Sequence, residues 1–412
     1  MVEDSSVDAA PAHMIAPDEA LLLVGERTSP RPIQRVRLEA ACGLQLAQDV
    51  RTEHDFPSFA RAMMDGYAVR VSDAGQTVRV VGEVPAGASS AEVVSEGVCL
   101  EIMTGAVCPE GTEAVVPKEV AHREGDLVTL PKNLELGRHI APPGSECRAG
   151  SVVLKRGDTM TPLAVAVVAS LGRQEVEVFP RPTAAVITTG AELVSVDSEL
   201  APGQIYDSNG PMLVALLDEF RIEDRTYRHV VDQREAILEA LEEAAEKDII
   251  LLSGGVSAGN YDLVPDCLAE YGATVVFHKV RQKPGKPLLF ATKGEQLLFG
   301  LPGNPLACHQ CFHRYAAAAI RGIQGKTAEP LQSVGVLAGE VVPKSGRTHF
   351  VPALAAQEES HWVLSPLPSV SSADIFSTSQ ANCYIEVPPG KQPFVAGKSL
   401  RFTWIGGAPW AN

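Results

Sequence analysis

The pattern of apolar and polar positions changes character several times along the chain. "PDEALLLVGERT" starts at Pro17 and carries apolar residues behind it, which predicts a short helix. From Phe56 to Ile140, short β-like runs ("TVRVVGEV", "EAVVPKEV", "DLVTLPK") alternate with Gly, Pro and Asp turns and predict a separate β-rich unit. "TPLAVAVVASLG" then reads as a buried helix ending at Gly172. The segments flanking the β-rich unit are expected to pack together, which makes that unit an insertion.

Residues 181–325 have another rhythm. Apolar strands "TAAVITTG", "TYRHVV", "DIILLSGG", "TVVFHKV" and "EQLLFGLPG" alternate with helices "NGPMLVALLDEF", "DQREAILEALEEAAEK", "LVPDCLAEYG" and "NPLACHQCFHRYAAAAI". That alternation implies βαβ units and a doubly wound, mostly parallel sheet. The carboxyl ends of such strands form the ligand crevice, so the strand-to-helix loops are where function is expected. After Lys326 the chain becomes Pro-, Gly- and β-rich again, and a small C-terminal β domain is expected, with "GGAPWAN" as a loose tail. No internal repeat is visible.

At 412 residues, two to four domains are expected. No run of 18 uncharged apolar residues occurs, so no membrane span is predicted. The first 16 residues are small, polar and acidic; they predict a disordered leader and not a secretory signal. Eight scattered cysteines suit a reduced, cytoplasmic chain. A net charge of −16, with no long basic face, argues against nucleic acid and acidic lipid surfaces as partners.

Gly255-Val256-Ser257-Ala258-Gly259 fits G-x-S-x-G, the nucleophile elbow of serine hydrolases. Five histidines follow Ser257, at 278, 309, 313, 349 and 361, so that reading has its base in the inventory. Against it, Gly254 and Gly255 make a broad turn, and Asn260-Tyr261-Asp262 puts a carboxylate at the helix start. The other reading is an anion cradle built by Ser253, Gly254, Gly255 and Ser257, since glycines let successive backbone N–H groups converge on one spot. "FHKVRQKPGKPLLF" adds Lys279, Arg281, Lys283 and Lys286 in a segment stiffened by Pro284, Gly285 and Pro287. Pro302-Gly303-Asn304-Pro305 makes a third such loop. Carboxylates collect on the same rim: Glu192, Asp232 and Asp262. Asp232 and Asp262 also suit plain helix caps. Together the three suggest a divalent cation bridging phosphates, magnesium in preference to zinc because the ligands are oxygens. Cys308, Cys311, His309 and His313 could hold a metal, although buried cysteines on a helix face are the simpler reading.

The motifs "FPSFARAMMDGYAV", "MTGAVCPEGTEAVVPKE", "TTGAEL", "SGGVSAGNYD", "KPGKPL", "LPGNPLA" and "SQAN" occur in this order. The set resembles the molybdopterin molybdenumtransferase (MoeA) family, which is similar to the E domain of gephyrin and of plant Cnx proteins. The resemblance implies insertion of molybdate into adenylylated molybdopterin with magnesium-dependent release of AMP, the last step of molybdenum cofactor biosynthesis. It also implies a homodimer with the site between subunits, and a molybdopterin adenylyltransferase as upstream partner. The implied organisation is a framework (17–55 and 140–180), an inserted β-rich lobe (56–139), an α/β molybdopterin-binding domain (181–326) and a C-terminal β-barrel (327–412).

By motif, the resemblance makes Asp65 and Thr104 catalytic residues of the lobe, Asp65 reaching across the dimer. Glu192, Asp232 and Asp262 match the acidic positions of the α/β domain; they are expected to be catalytic too, and the candidate ligands of the metal. Lys279 and Lys283 fall near phosphate and molybdate, Pro302 and Pro305 shape their loop, and Arg347 and Ser372 lie near molybdate. Ser257 then donates a hydrogen bond to phosphate. The chain differs at Ala62, where the family usually has serine, at Ala191 in place of an acid, at Glu146 in place of aspartate, and at Ala373-Asp374 in place of a larger neutral pair. A non-catalytic molybdopterin-binding scaffold, as in gephyrin, is the alternative the resemblance leaves open.

Overall fold

The computed structural model describes residues 14–256, 263–344 and 346–405. Ser257, Asp262 and the expected C-terminal tail lie outside the described residues, as do the first 13 residues of the expected leader. The chain divides into two compact units: Val36–Val176, and Met1–Arg35 together with Glu177–Asn412.

The smaller unit holds a six-stranded sheet in the order Ala114–Pro117, Gly66–Val69, Val98–Ile102, Thr77–Val84, Leu127–Thr129, His122–Glu124. The runs read as strands of a β-rich unit are all in it. Two apolar clusters fill its faces, one around Leu100, Ile102 and Val115, the other around Tyr67, Val69 and Val128, because alternate residues of each strand point to opposite sides. The helix Pro162–Ser170 forms as predicted, with Thr161 accepting a hydrogen bond from Ala164 N as its cap. It is less buried than its composition suggests: Ala164 and Val168 are covered, while Leu163 is 76% exposed.

The larger unit begins with helix α1 (Pro17–Glu26) and is built on one mixed sheet. In chain order its elements are β1 (Ala184–Thr189), the short pair β2 (Leu193–Val194) and β3 (Ile205–Tyr206), α2 (Asn209–Glu219), β4 (Arg225–Val230), α3 (Arg234–Glu243), β5 (Ile249–Ser253), α4 (Val264–Glu270), β6 (Thr274–His278), β7 (Gln282–Lys283), β8 (Leu289–Lys293) and β9 (Gln296–Leu301). The sheet order is β4-β1-β5-β9-β8-β6. Strands β4, β1, β5 and β9 are mutually parallel. Ile249 and Leu251 join α2 and α1 in one core, while Ile250 and Leu252 join α3 and α4 in the other. Burial on both faces explains why these strands read as unbroken apolar runs.

One element departs from the expected alternation. The end of the basic segment, "PLLFATK", is a strand, β8, running antiparallel to both β9 and β6. Gly294, with φ of 60°, is the first of the two residues that close the β8–β9 hairpin, a position that favours glycine. The middle of the same segment, Gln282–Lys283, leaves this sheet and pairs with a strand of the C-terminal region.

That region is a closed five-stranded barrel: β10 (Gln332–Leu337), β11 (Thr348–Glu358), β12 (His361–Pro366), β13 (Cys383–Val387) and β14 (Ser399–Trp404), in the order β11-β12-β10-β14-β13 and back to β11. Its core gathers Val351, Ala353, Leu364, Ile385, Phe402 and Trp404. A long helix precedes it, α5 (Pro305–Cys311), a π turn (Phe312–Ala316) and α6 (Ala317–Ile323). Cys308 and Cys311 are wholly buried on it, and burial pushes the Cys308 thiol up to about 12. His309 Nδ1 lies 2.7 Å from the Tyr384 hydroxyl, and among the described residues no group of three or more His, Cys, Asp or Glu could hold a metal.

The π turn presents Arg314, 1% exposed, to Glu386 of β13 at 3.3 Å and to Asp18 of α1 at 2.5 Å. Its guanidinium also lies 4.7 Å from the Phe350 ring centre, a cation–π contact. Losing one partner strands a buried charge. Glu386→Ala is therefore expected to destabilise the chain by about 3 kcal/mol, read by urea unfolding; an unchanged midpoint contradicts this assignment.

Candidate active site

Register brings the strand ends to one level. Thr188 pairs with Ser253, Ser253 pairs with Leu301, and Thr189 pairs with Val230. The chain leaves β1 for the β4 edge through α2, on one face, and leaves β5 for the far edge through α4, on the other. The loops diverge between β1 and β5, which opens a crevice there. A cavity of about 580 Å³ occupies it.

The glycine turn after β5 forms its floor. Gly254 has φ of 99°, and a Cβ there would sit 2.0 Å from the carbonyl oxygen of Thr189. Gly255 has φ of 61°, and its Cβ would meet Val264 at 2.9 Å. Both positions need glycine, for backbone conformation and for close approach. Asn209 ties this turn to the next: its Nδ2 donates to Ser253 Oγ at 2.8 Å and to the Gly303 carbonyl at 2.7 Å. Asp207, 2% exposed, accepts from Thr188 Oγ1 at 2.5 Å, Tyr227 OH at 2.6 Å and Gly210 N at 2.9 Å. Burial, together with that carboxylate, pushes the Tyr227 hydroxyl up to about 12.

The acids lie on the same rim. Glu192 follows the β1 loop and Asp232 follows β4; Glu192 is exposed, Asp232 half-buried, and both line the cavity. Thr189 Oγ1 donates to Asp232 Oδ1 at 3.2 Å. The cations come from the β7 loop and the barrel: Lys283, Lys286 and Arg347 line the cavity. Burial, then the charges of Lys344 and Arg347, hold the Lys283 ammonium below the usual lysine range. His349, Lys283's neighbour across the β7–β11 pairing, is pulled down to about 4 by burial and by Lys344 and Lys283. Such a cluster repels itself, and an anion relieves the repulsion.

Pro302, Gly303, Asn304 and Pro305 complete the rim, and Asn304 Nδ2 donates to Ser372 Oγ at 2.7 Å. Asp374, one of the positions where the chain differs from the family pattern, accepts from Val370 N at 3.1 Å and Ser377 N at 3.2 Å, closing the loop that carries Ser372. Lys279 stands apart: its backbone is left-handed (φ 75°), and it is not among the residues lining the cavity.

Asp65 and Thr104 belong to the smaller unit. Gly66 pairs with Ile102, so the residues just beyond meet: Thr104 N and Oγ1 both donate to Asp65 Oδ1 at 2.7 Å. These two bonds hold the Asp65 carboxyl below the usual range.

Three family models together span most of the chain: the MoeA N-terminal region (domains I and II) over residues 15–172, a probable molybdopterin binding domain over 185–322, and the MoeA C-terminal region (domain IV) over 334–403. A molybdopterin molybdenumtransferase of Staphylococcus aureus is 33% identical over 391 residues, 93% of each chain. This chain belongs to the molybdopterin molybdenumtransferase family. The corresponding Staphylococcus epidermidis protein is 33% identical over 371 residues, 88% of each chain. The crystal structure of the molybdopterin biosynthesis MoeA protein from Pyrococcus horikoshii OT3 matches with a TM-score of 0.79 at 28% identity, covering 95% of this chain and 100% of that one.

With the family in hand, the chain is an enzyme of molybdenum cofactor biosynthesis, and the probable molybdopterin binding domain contains the glycine turn and the PGNP loop. Sequence reasoning missed Asp207 and Asn209. Their signal was available: "YDSNG" before an apolar helix is a dense set of capping residues. It also missed the β2–β3 pair, whose two-residue strands carry no periodicity.

The glycine turn makes a sharp expectation. Gly254→Ala costs at least about 2 kcal/mol through strain and clash. Gly303→Ala, whose Cβ would meet only Gly254 Cα at 3.8 Å, costs under about 0.5 kcal/mol. Urea unfolding of both variants checks this; equal losses contradict it.

Proposed function

We propose that the cavity at the strand ends binds adenylylated molybdopterin and molybdate, and that the enzyme joins metal to pterin with release of AMP. The observation that carries this reading is the composition of the cavity wall. Carboxylates from the β1 and β4 loops and cations from the β7 loop and barrel face one 580 Å³ space floored by a glycine turn. Binding two anionic groups at once requires such a wall. Cleaving a phosphoanhydride requires charge neutralisation and in-line positioning, and no protein nucleophile.

Lys283, Lys286 and Arg347 are the groups we assign to phosphate and molybdate. The backbone N–H groups of Gly254 and Gly255, with Ser257 beyond them, are assigned to the phosphates. Lys279 is assigned a supporting role from outside the cavity lining. Ser253, Pro302, Gly303, Asn304, Pro305 and Ser372 shape the rim; Ser372 is oriented by Asn304.

The donor chemistry suits magnesium. Glu192, exposed, and Asp232, half-buried, are oxygen donors on the cavity, and magnesium commonly takes one or two carboxylates and completes its shell with water and substrate phosphate. Glu192, Asp232 and Asp262 would hold it, and when bound it would neutralise phosphate oxygens. Asp65 and Thr104, preset by their mutual hydrogen bonds, are assigned to complete the site of a second subunit in a homodimer. A molybdopterin adenylyltransferase supplies the substrate, and the cytoplasm is the compartment.

The test is AMP release from adenylylated molybdopterin with magnesium, with and without molybdate. The reading expects release, and expects Lys283→Ala to slow it at least about tenfold. No release by the intact chain contradicts an enzymatic role and favours a scaffold.

A second outcome follows from Lys283. An anion raises the pKa of a cation it touches. Because the free lysine sits below its ordinary range, tungstate, a molybdate mimic, binds most tightly below that pKa and loses affinity as pH rises through it. Calorimetric titration from neutral to alkaline pH checks the sign; affinity that is flat or rising with pH contradicts it.

A further inference from the structure

We propose that Tyr206 is the plate on which a planar heterocycle of the substrate, adenine or pterin, stacks. This rests on the reading of the cavity given above and adds a recognition element for the substrate's ring.

Tyr206 is the sole aromatic side chain among the described residues lining the cavity. It is 42% exposed there, beside Ile205 at 55%, and Leu193 lines the same space. Leu193 and Ile205 are cross-strand partners and Tyr206 is the next residue of β3; all three line a wall that is otherwise largely polar and charged. An exposed tyrosine on a loop would be unremarkable, but this one is held in a fixed frame. Leu193 pairs with Ile205 and Val194 with Tyr206. Ile205 N donates to the Glu192 carbonyl and Asp207 N to the Val194 carbonyl, both at 2.9 Å.

The residue after Tyr206 is the buried Asp207, anchored by Thr188 of β1, Tyr227 of β4 and Gly210 of α2. The backbone at Tyr206 is therefore held by a ladder on one side and a buried carboxylate on the other, which lowers the cost of ordering on binding. The anion-holding groups lie on other elements, at the glycine turn, the β7 loop and the barrel. An anionic ligand gripped there still has a ring to place. An aromatic face takes a ring of any substitution pattern, because every such heterocycle has a π face.

The experiment titrates AMP, molybdopterin and tungstate separately into the intact protein and into Tyr206→Ala, Tyr206→Leu and Tyr206→Phe, by calorimetry. The proposal expects Tyr206→Ala and Tyr206→Leu to weaken AMP or molybdopterin about tenfold, the loss of one ring stack. Tyr206→Phe stays within about twofold of the parent, since the face and not the hydroxyl does the work. Tungstate, which has no ring, binds all four proteins alike.

Whichever of the two ring ligands is weakened identifies the stacked ring. The proposal is overturned if Tyr206→Ala binds AMP and molybdopterin as tightly as the parent, if Tyr206→Leu retains what Tyr206→Ala loses, or if tungstate is weakened in step with them. Failure of the parent protein to bind any of the three ligands is a different result, which overturns the cavity reading itself.

Discussion

The parallel register of β1, β5 and β9 is the constraint on which the rest depends. Because Thr188, Ser253 and Leu301 stand side by side, three loops start from one level and can enclose a single space. Those strands are buried on both faces, so a slip of one residue would exchange two packed cores at once. The register is therefore held by the bulk of the apolar core, and the polar site at its edge inherits that rigidity. The close approach of Gly254 to the Thr189 carbonyl is the local expression of the same constraint. Two adjacent strand ends come too near for any side chain between them.

Polar groups convert this frame into a binding surface. Asn209 spans the ends of β5 and β9 with two hydrogen bonds from one amide. Asp207 does the same for β1, β4 and the start of α2. Both fix the loops that enclose the cavity. Lys283, Lys286 and Arg347, by contrast, make no ion pair among the described residues, and Lys283 is depressed by burial and by its positive neighbours. A fold that gathers like charges at a cavity rim stores repulsion there, and an oxyanion releases it.

Much of this was legible from the residues. The strands with long apolar runs and the helices behind them were clear because burial on two faces leaves a strong signal. The glycine turn, the PGNP loop, Glu192, Asp232, Lys283 and Lys286 were found as loops following strands, and all line the cavity. The basic segment misled in one respect. "PLLFATK" reads as the tail of a loop, yet it is a full strand, because the Gly294-Glu295 turn lets it fold back on β9. Lys279 carried the same local charge signal as Lys283, but its left-handed backbone sits at the end of β6 and it does not reach the cavity lining. Asp65 and Thr104 are far apart in sequence, and only the antiparallel pairing of Gly66 with Ile102 explains why they touch.

The central claim is that one cavity, at the carboxyl ends of β1, β5 and β9, takes both the nucleotide-bearing pterin and the metal oxyanion. Crystals soaked in AMP and tungstate test it directly, since tungsten is located by its anomalous scattering without reference to any prior interpretation. The account predicts a tungsten peak beside Lys283 and Arg347, with AMP in the same cavity over the glycine turn. Tungsten and AMP both lodged elsewhere would contradict it.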